Sequence, residues 1–264
     1  MKSYTVQTYI QAVLERTGSP TRAKTVDTLK CGDPSAPVRG VVLTFMATRK
    51  VLEKAAAVGA NLIITHEPTF YNHMDETDWL KGDAVYEGKK RFLQETGLAV
   101  WRFHDSLHDR NPDGILEGMI ARLGWGKFQS QPNSRILEFP GWTARKIALS
   151  AKQTLGLSMV RLAGDPETIC GKVSTLFGAW GGEKQIKDLL QEDVKALICG
   201  ESPEWETCEY VRDAVAQGRS LALIVLGHAP SEEGGMEHMA EQLRSLIPEV
   251  PVHFIPAGSP FQTL

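Results

Sequence analysis

Short runs dominated by apolar residues alternate along the chain with segments whose apolar residues recur every three or four positions. The first half contains the runs VVLTF (41–45), LIIT (62–65) and LAVWRF (98–103), with helical patterns between them. Runs of this length predict buried strands, and the amphipathic segments predict the helices that connect them. The pattern therefore predicts an α/β fold with largely parallel sheets.

The second half repeats this alternation. Between it and the first half, residues from about 125 to 145 follow neither pattern and contain Pro132, Pro140 and Gly141, which indicates a domain boundary. We predict strands in the second half at KIALS (146–150), LSMVRLAG (157–164), KVSTL (172–176), KALICGE (195–201), LALIVLG (221–227) and VPVHFIPAG (250–258).

Composition narrows the class of protein. The 264 residues carry a net charge of −3 from 29 basic and 32 acidic side chains, so no nucleic-acid partner is expected. The longest apolar runs are far shorter than a membrane span, and the first 18 residues resemble an amphipathic helix more than a signal peptide. We therefore expect a cytoplasmic protein. The four cysteines form no CxxC pair and are expected to be reduced thiols.

Metal-ligating side chains follow the predicted strands. His66 and Glu67 come directly after LIIT, and His104–Asp109, Glu201 and His228–Glu233 follow three further runs. Ligands of open α/β sheets bind beyond the carboxyl ends of the strands. One interpretation is that these strands simply emerge into polar loops. Because four of the seven histidines occupy such positions, we favour a metal site instead.

The spacing within two of these segments supports convergence. His104 and His108 lie four positions apart, so both rings share a face if the segment is helical. Pro230 suits the first position of a helix, which would place His228 at the strand exit and Glu232 in the first helical turn. Imidazoles suit zinc, iron or manganese, and carboxylates bridge such ions. Two adjacent ions activate a shared water, which is the apparatus of a hydrolase.

Seven segments together resemble the Nif-three-like dinuclear metal-centre family, some members of which are labelled GTP cyclohydrolase I type 2 homologues. The resemblance spans nearly the whole chain and rests on GDPSAPVRGVVLTF (32–45), IITHEPTF (63–70), RFHDSLHD (102–109), KVSTLFGAWGG (172–182), KALICGE (195–201), LGHAPSEE (226–233) and SPF (259–261).

The resemblance implies two divalent metal ions, zinc, iron or manganese, with the ligands His66, Glu67, His108, His228 and Glu232. The chain departs from the family pattern at two of these positions. Glu67 stands where the family has a histidine, and His108 stands where it has an aspartate. Because the total of three imidazoles and two carboxylates is unchanged, we expect a metal centre with rearranged coordination.

The resemblance also implies two similar α/β domains, the central one inserted between the parts of the first. With the boundary above, the metal-site domain comprises residues 1–124 plus 222–264, and the inserted domain comprises residues 125–221. A homo-oligomer, specifically a hexamer, is implied as well.

The function expected from these residues is metal-dependent hydrolysis of a small phosphorylated or nucleotide-like substrate, with His104 or Asp105 as acid or base. GTP cyclohydrolase-type activity ranks below generic hydrolysis. The alternative is a non-enzymatic protein that binds or stores metal, or an oligomeric scaffold. Catalysis requires an open coordination position, whereas a storage site can be closed.

Overall fold

The computed structural model describes residues 3–263 and divides them into two compact units. Unit 1 comprises the residues up to Gly114 together with Gly235–Ala257. Unit 2 comprises Ile115–Gly234 together with the residues from Gly258 onward. Each unit contains one five-stranded mixed sheet. The predicted α/β fold class is therefore confirmed.

The strands are β1 (Leu29–Cys31), β2 (Val41–Thr44), β3 (Leu62–Thr65), β4 (Ala99–Arg102), β5 (Ile136–Glu138), β6 (Arg161–Gly164), β7 (Lys172–Leu176), β8 (Val194–Cys199), β9 (Ala222–Val225) and β10 (Val252–Phe254). The α-helices are α1 (Val6–Thr17), α2 (Arg49–Ala57), α3 (Ala84–Thr96), α4 (Asp105–His108), α5 (Gly114–Leu123), α6 (Ala144–Leu155), α7 (Gly182–Leu189), α8 (Glu209–Ala216) and α9 (His228–Leu246). Short 3-10 turns span Asp78–Leu80 and Gly126–Phe128, and a π-helical turn, Glu204–Cys208, precedes α8. None of the helices within residues 3–263 combines the length and the apolar character needed to cross a bilayer.

The sheet of unit 1 has the strand order β1-β4-β3-β2-β10, in which only the edge strand β1 runs antiparallel to its neighbour. Every residue of β2, β3 and β4 is buried, as expected for parallel strands covered on both faces. The register pairs Thr65 with Thr44 on one side and with Arg102 on the other. Three strands therefore end at one edge of the sheet, and the residues that follow them start there.

The sheet of unit 2 has the order β5-β7-β8-β9-β6. Its three central strands are parallel, and the two edge strands are antiparallel. Leu176, Cys199 and Val225 are in register at the carboxyl ends of β7, β8 and β9. The segments that follow these three strands therefore also leave from a common edge.

Each unit has its own apolar core. In unit 1, Val42 and Ile63 of the central strands pack with Leu52 of α2. In unit 2, Leu197 and Leu223 belong to a cluster that includes residues of α7 and α8. Burying one such side chain contributes about 1.5–3 kcal/mol, so each core holds its strand ends in place.

The prediction of a strand at KIALS was wrong, because these residues lie in α6. The side chain of Thr143 caps the amino end of α6 by accepting a hydrogen bond from the N–H of Lys146, and Gly156 ends the helix with φ +65°. The buried residues of α6 are spaced three or four apart, so they form one helical face. A run of three apolar residues is too short to distinguish a strand from a helix.

Three edge strands also differ from the sequence pattern. LSMVRLAG forms a strand only at Arg161–Gly164, and β5 lies inside the region predicted to be irregular. The strand β1 carries no continuous apolar run, and all three of its residues are half-buried. Edge strands need less burial than central strands, so their sequences lack the apolar signal.

The units divide at positions other than the predicted boundaries. The predicted inserted domain, residues 125–221, ends just before β9. The structure places β9 in unit 2, because β9 pairs with β8 and β6 inside the second sheet. The predicted boundary at residue 124 differs as well, because α5 belongs largely to unit 2, which begins at Ile115.

Candidate metal centre

The first part of the candidate centre is the loop that follows β3. His66 is fully buried, and Glu67 is nearly so. The backbone N–H groups of both residues donate to the carbonyl oxygen of Phe45, at 3.2 and 2.8 Å. The loop is thereby fixed against the end of β2, and its side chains start from the shared edge of the sheet.

The second part is the short helix α4, which follows β4. The carboxylate of Asp27 accepts hydrogen bonds from the backbone N–H groups of His104, Asp105 and Ser106, at 2.8, 2.9 and 2.7 Å. Asp27 therefore caps the helix from a distant part of the chain. Because the helix forms, His104 and His108 share a face, and their ring centroids lie 4.9 Å apart.

Three of the imidazoles in unit 1, those of His66, His104 and His108, form one cluster. The ring of His66 stacks on that of His104 with centroids 4.6 Å apart, and it meets the ring of His108 edge-on at 5.0 Å. The ligand atoms of the three residues all lie within 4.8 Å of one another. This separation allows all three rings to coordinate one metal ion.

Each of these rings has an oxygen atom beside its Nδ1. The partner is the carbonyl oxygen of Phe103 for His66 at 3.2 Å, the carboxylate of Asp105 for His104 at 3.0 Å, and the carboxylate of Asp113 for His108 at 3.1 Å. Since carbonyl and carboxylate oxygens only accept, each Nδ1 carries the proton and donates it. The lone pair of each ring is then on Nε2, the arrangement found in histidines that bind metals.

Glu67 stands beside this cluster and is held by a buried arginine. Arg102 has no exposed surface and places its guanidinium 3.4 Å from Oε2 of Glu67. It also donates to the carbonyl oxygens of His66 and His73. The other oxygen, Oε1, lies 3.6 Å from Nε2 of His104. Arg102 thus orients the carboxylate so that one oxygen faces the imidazoles.

The electrostatic environment keeps His104 neutral. Burial and the neighbouring imidazoles of His66 and His108 lower the pKa of His104 to about 2. Burial raises the pKa of Asp105, but hydrogen bonds from His104, Thr25 and Val26 outweigh that effect and lower it to about 2. At neutral pH the pair is therefore an imidazole and a carboxylate. Asp105 can therefore accept a hydrogen bond from His104 and orient its ring, but it has no proton to donate as an acid.

Unit 2 contains a second group of candidate ligands at the start of α9. Nδ1 of His228 lies 2.9 Å from Glu201, and Nε2 lies 3.1 Å from Oε2 of Glu232. The hydrogen bond from His228 lowers the pKa of Glu201, and partial burial opposes this. Gly178 makes room for the group, because a Cβ at that position would lie 2.1 Å from Glu232.

The structure brings together His66, Glu67, His104 and His108 in unit 1, and His228 with Glu232 in unit 2. His104, predicted as an acid or base, is also among the metal-ligand candidates. That the two groups serve one dinuclear centre stays a prediction. Sequence reasoning missed three supporting residues, Asp27, Arg102 and Asp113. Only Arg102 left a local signal, as a charge inside a buried strand.

The chemistry of the donor set fits a metal ion. Three imidazoles with one carboxylate beside them suit zinc, iron or manganese, whereas magnesium and calcium prefer sites built from oxygen ligands alone. The residues present in unit 1 therefore match the class of ion that the sequence predicts.

A family model described as Duf34/NIF3 (NGG1p interacting factor 3) matches residues 6–260. Curated relatives named GTP cyclohydrolase 1 type 2 homolog include a protein of Clostridium perfringens, 24% identical over 249 residues that cover 89% of each chain. A protein of Chlamydia muridarum with the same name is 23% identical over 227 residues, covering 83% of this chain and 84% of the relative.

Solved structures share the fold over the full length. The Staphylococcus aureus protein SA1388 matches with a TM-score of 0.77 and 16% identity, covering 99% of each chain. A Bacillus cereus protein related to NIF3 matches with a TM-score of 0.75 and 15% identity, covering 100% of each chain.

Proposed function

The chain belongs to the Duf34/NIF3 family, and on that premise we propose that it is a metal-dependent hydrolase of a small phosphorylated or nucleotide-like substrate. The observation that carries the proposal is the cluster of His66, His104 and His108, whose ligand atoms lie within 4.8 Å of one another. The names of the curated relatives refer to GTP and support the substrate class.

Each residue of the cluster has a distinct role in this proposal. His66, His104 and His108 would hold a divalent ion through Nε2, and Glu67 would supply a carboxylate oxygen beside them. When bound, such an ion supplies a Lewis acid that activates water and polarises a carbonyl or phosphoryl oxygen. Asp105 orients the ring of His104 and stabilises the proton on its Nδ1. Arg102 holds the carboxylate of Glu67 in place.

The proposal is tested by assaying the metal-stripped chain with GTP and with p-nitrophenyl phosphate, before and after adding Zn²⁺, Mn²⁺ or Fe²⁺. We expect turnover that needs added metal and falls to the metal-free rate in His66→Ala. His238→Ala is the matched control, because His238 lies on α9 outside both groups of candidate ligands and contacts Gln242. It should keep the activity of the wild type.

Two results would contradict the proposal. Equal rates in His66→Ala and the wild type would place any activity outside this cluster. Zn²⁺ binding without turnover of any phosphorylated compound tested would favour the non-enzymatic alternative, in which the same residues store or carry metal. Circular dichroism of each variant, compared with the wild type, confirms that loss of turnover is not loss of fold.

A further inference from the structure

His108 stands where the family has an aspartate, and this difference changes how many metal ions the centre can bind. A carboxylate has two oxygens and can join two metal ions, whereas an imidazole coordinates through one lone pair. In this chain Nδ1 of His108 donates to Asp113 at 3.1 Å, which leaves Nε2 as its single ligand atom. His108 can therefore bind one ion and cannot bridge a pair of ions.

Glu67, which stands where the family has a histidine, does not provide a replacement carboxylate bridge between two metal ions within unit 1. One carboxylate oxygen of Glu67 faces the guanidinium of Arg102, and the other faces the ring of His104. Arg102 is fully buried, so little solvent screens its charge from that carboxylate. The positive charge of Arg102 offsets the negative charge of Glu67. Glu67 itself therefore contributes little net negative charge to reduce the repulsion between two closely spaced dications.

The three imidazoles, by contrast, can supply the nitrogen ligands of a single metal ion. Each of the three rings is fixed by its own oxygen acceptor, and two of the rings stand on one face of α4. Fixed tautomers and orientations raise metal affinity, because less order has to be imposed when the ion binds. All three rings, Glu67 and the acceptors belong to unit 1.

We infer that His66, His104 and His108 hold one ion of the zinc class within unit 1, and that binding of this ion does not require Glu232. The inference rests on the proposed metal centre and departs from the two-ion arrangement that the family resemblance implies. Three imidazoles with one carboxylate favour Zn²⁺ and Co²⁺ over Mg²⁺ and Ca²⁺.

The test uses the full chain, stripped of metal and titrated with Zn²⁺ by calorimetry, with elemental analysis after dialysis. The variants are Glu232→Gln, His108→Asp and Asp113→Asn. We expect Glu232→Gln to keep one tightly bound Zn²⁺ with an affinity within about threefold of the wild type. We expect His108→Asp and Asp113→Asn to bind Zn²⁺ at least about tenfold more weakly, as is typical when a ligand or its hydrogen-bond partner is lost.

A second readout is the visible spectrum of the Co²⁺-loaded protein. If the imidazoles of unit 1 are the ligands, the spectrum of Glu232→Gln equals that of the wild type in band position and intensity, and that of His108→Asp differs. Asp113→Asn keeps the size of the side chain, so it remains informative even if His108→Asp fails to fold.

Loss of all bound Zn²⁺ in Glu232→Gln, or wild-type affinity in His108→Asp, would overturn the inference. Both results leave the proposed hydrolase possible, because the wild type would still bind metal through another arrangement. Failure of the wild type itself to bind Zn²⁺ or any other divalent ion would overturn both proposals together.

Discussion

The tautomer of each of the three clustered histidines, His66, His104 and His108, is set by an oxygen atom outside the cluster. The acceptors are the carbonyl oxygen of Phe103 and the carboxylates of Asp105 and Asp113. The donated hydrogen bond selects the tautomer and limits rotation of the ring. The ligand positions are therefore only as well defined as these three contacts.

Unit 1 also contains a buried lysine, Lys89, that is not a candidate metal ligand. Its burial predicts how the stability of the protein depends on pH. Lys89 is 7% exposed, and its Nζ donates to the carbonyl oxygen of Thr69 at 2.6 Å. Burial lowers the pKa of Lys89 from 10.5 to about 8, although the nearby charge of Asp75 opposes the change. Below pH 8 the folded chain therefore carries a charged amine at an unfavourable site.

The sign of the pH dependence follows from proton binding. Between about pH 8 and 10.5 the unfolded chain keeps the proton of Lys89 and the folded chain releases it. The free energy of unfolding then rises with pH, because the unfolded state binds more protons. Across this window we expect the wild type to gain about 3 kcal/mol relative to Lys89→Met, at about 1.4 kcal/mol per pKa unit.

Urea denaturation of both proteins at pH 7, 8, 9 and 10.5 measures this difference. Lys90→Met serves as the control, since Lys90 is the exposed neighbour on the same helix. Its difference from the wild type should change little over the same range. A difference for Lys89→Met that is constant with pH would show that this amine is not destabilised by burial.

The helix α4 is too short to be stable by itself, and its position depends on Asp27. Isolated helices of a few residues do not form in water. Asp27 accepts hydrogen bonds from three successive N–H groups at the start of α4, although 77 residues separate it from the first of them. The facing arrangement of His104 and His108 thus depends on a carboxylate from another part of unit 1.

We predict that Asp27→Ala lowers the free energy of unfolding by about 2 kcal/mol, the upper range for loss of a helix cap. The same variant should bind Zn²⁺ more weakly, because His104, which caps α4, and His108 within it lose their common orientation. Urea denaturation and Zn²⁺ titration measure the two effects.

Asp33→Ala is the matched control for this prediction. Asp33 also accepts hydrogen bonds from a backbone N–H and a side chain, both of Ser35, but in an exposed turn. Its replacement should cost less than about 1 kcal/mol and leave the Zn²⁺ affinity unchanged. Unaltered Zn²⁺ binding in Asp27→Ala would show that α4 is positioned by other contacts.

In both units, polar side chains follow the carboxyl ends of parallel strands. In each unit, parallel central strands end in register at one edge, and residues after those ends carry imidazoles and carboxylates. His66 directly follows β3 in unit 1, and His228 comes three positions after the end of β9 in unit 2. The common arrangement explains why candidate ligands recur at strand ends along the chain.

The predicted hexamer is tested by the molar mass in solution. Light scattering of the wild type should give about six times the chain mass of 29.1 kDa at micromolar concentration. A mass of one chain over a tenfold range of concentration would contradict the prediction.

Much of the candidate site follows from local sequence. An apolar run that ends on His66 and Glu67 predicts both the strand and the exit of these side chains, because a strand end is a local property. The spacing of His104 and His108 likewise predicts a shared helical face. The strand at KIALS and the short edge strands were not predictable in this way, because burial by other segments decides between helix and strand in short runs.

The sequence by itself determined the alternation of strands and helices and the kinds of ligand at the strand ends, since both depend on neighbouring residues. Only the tertiary structure decided which strands lie side by side, that β9 belongs to the second sheet, and that Asp27, Asp113 and Arg102 support the imidazoles and Glu67. The physical reason is that strand pairing and buried hydrogen bonds join residues far apart in the chain. Their geometry is fixed by packing that no local pattern encodes.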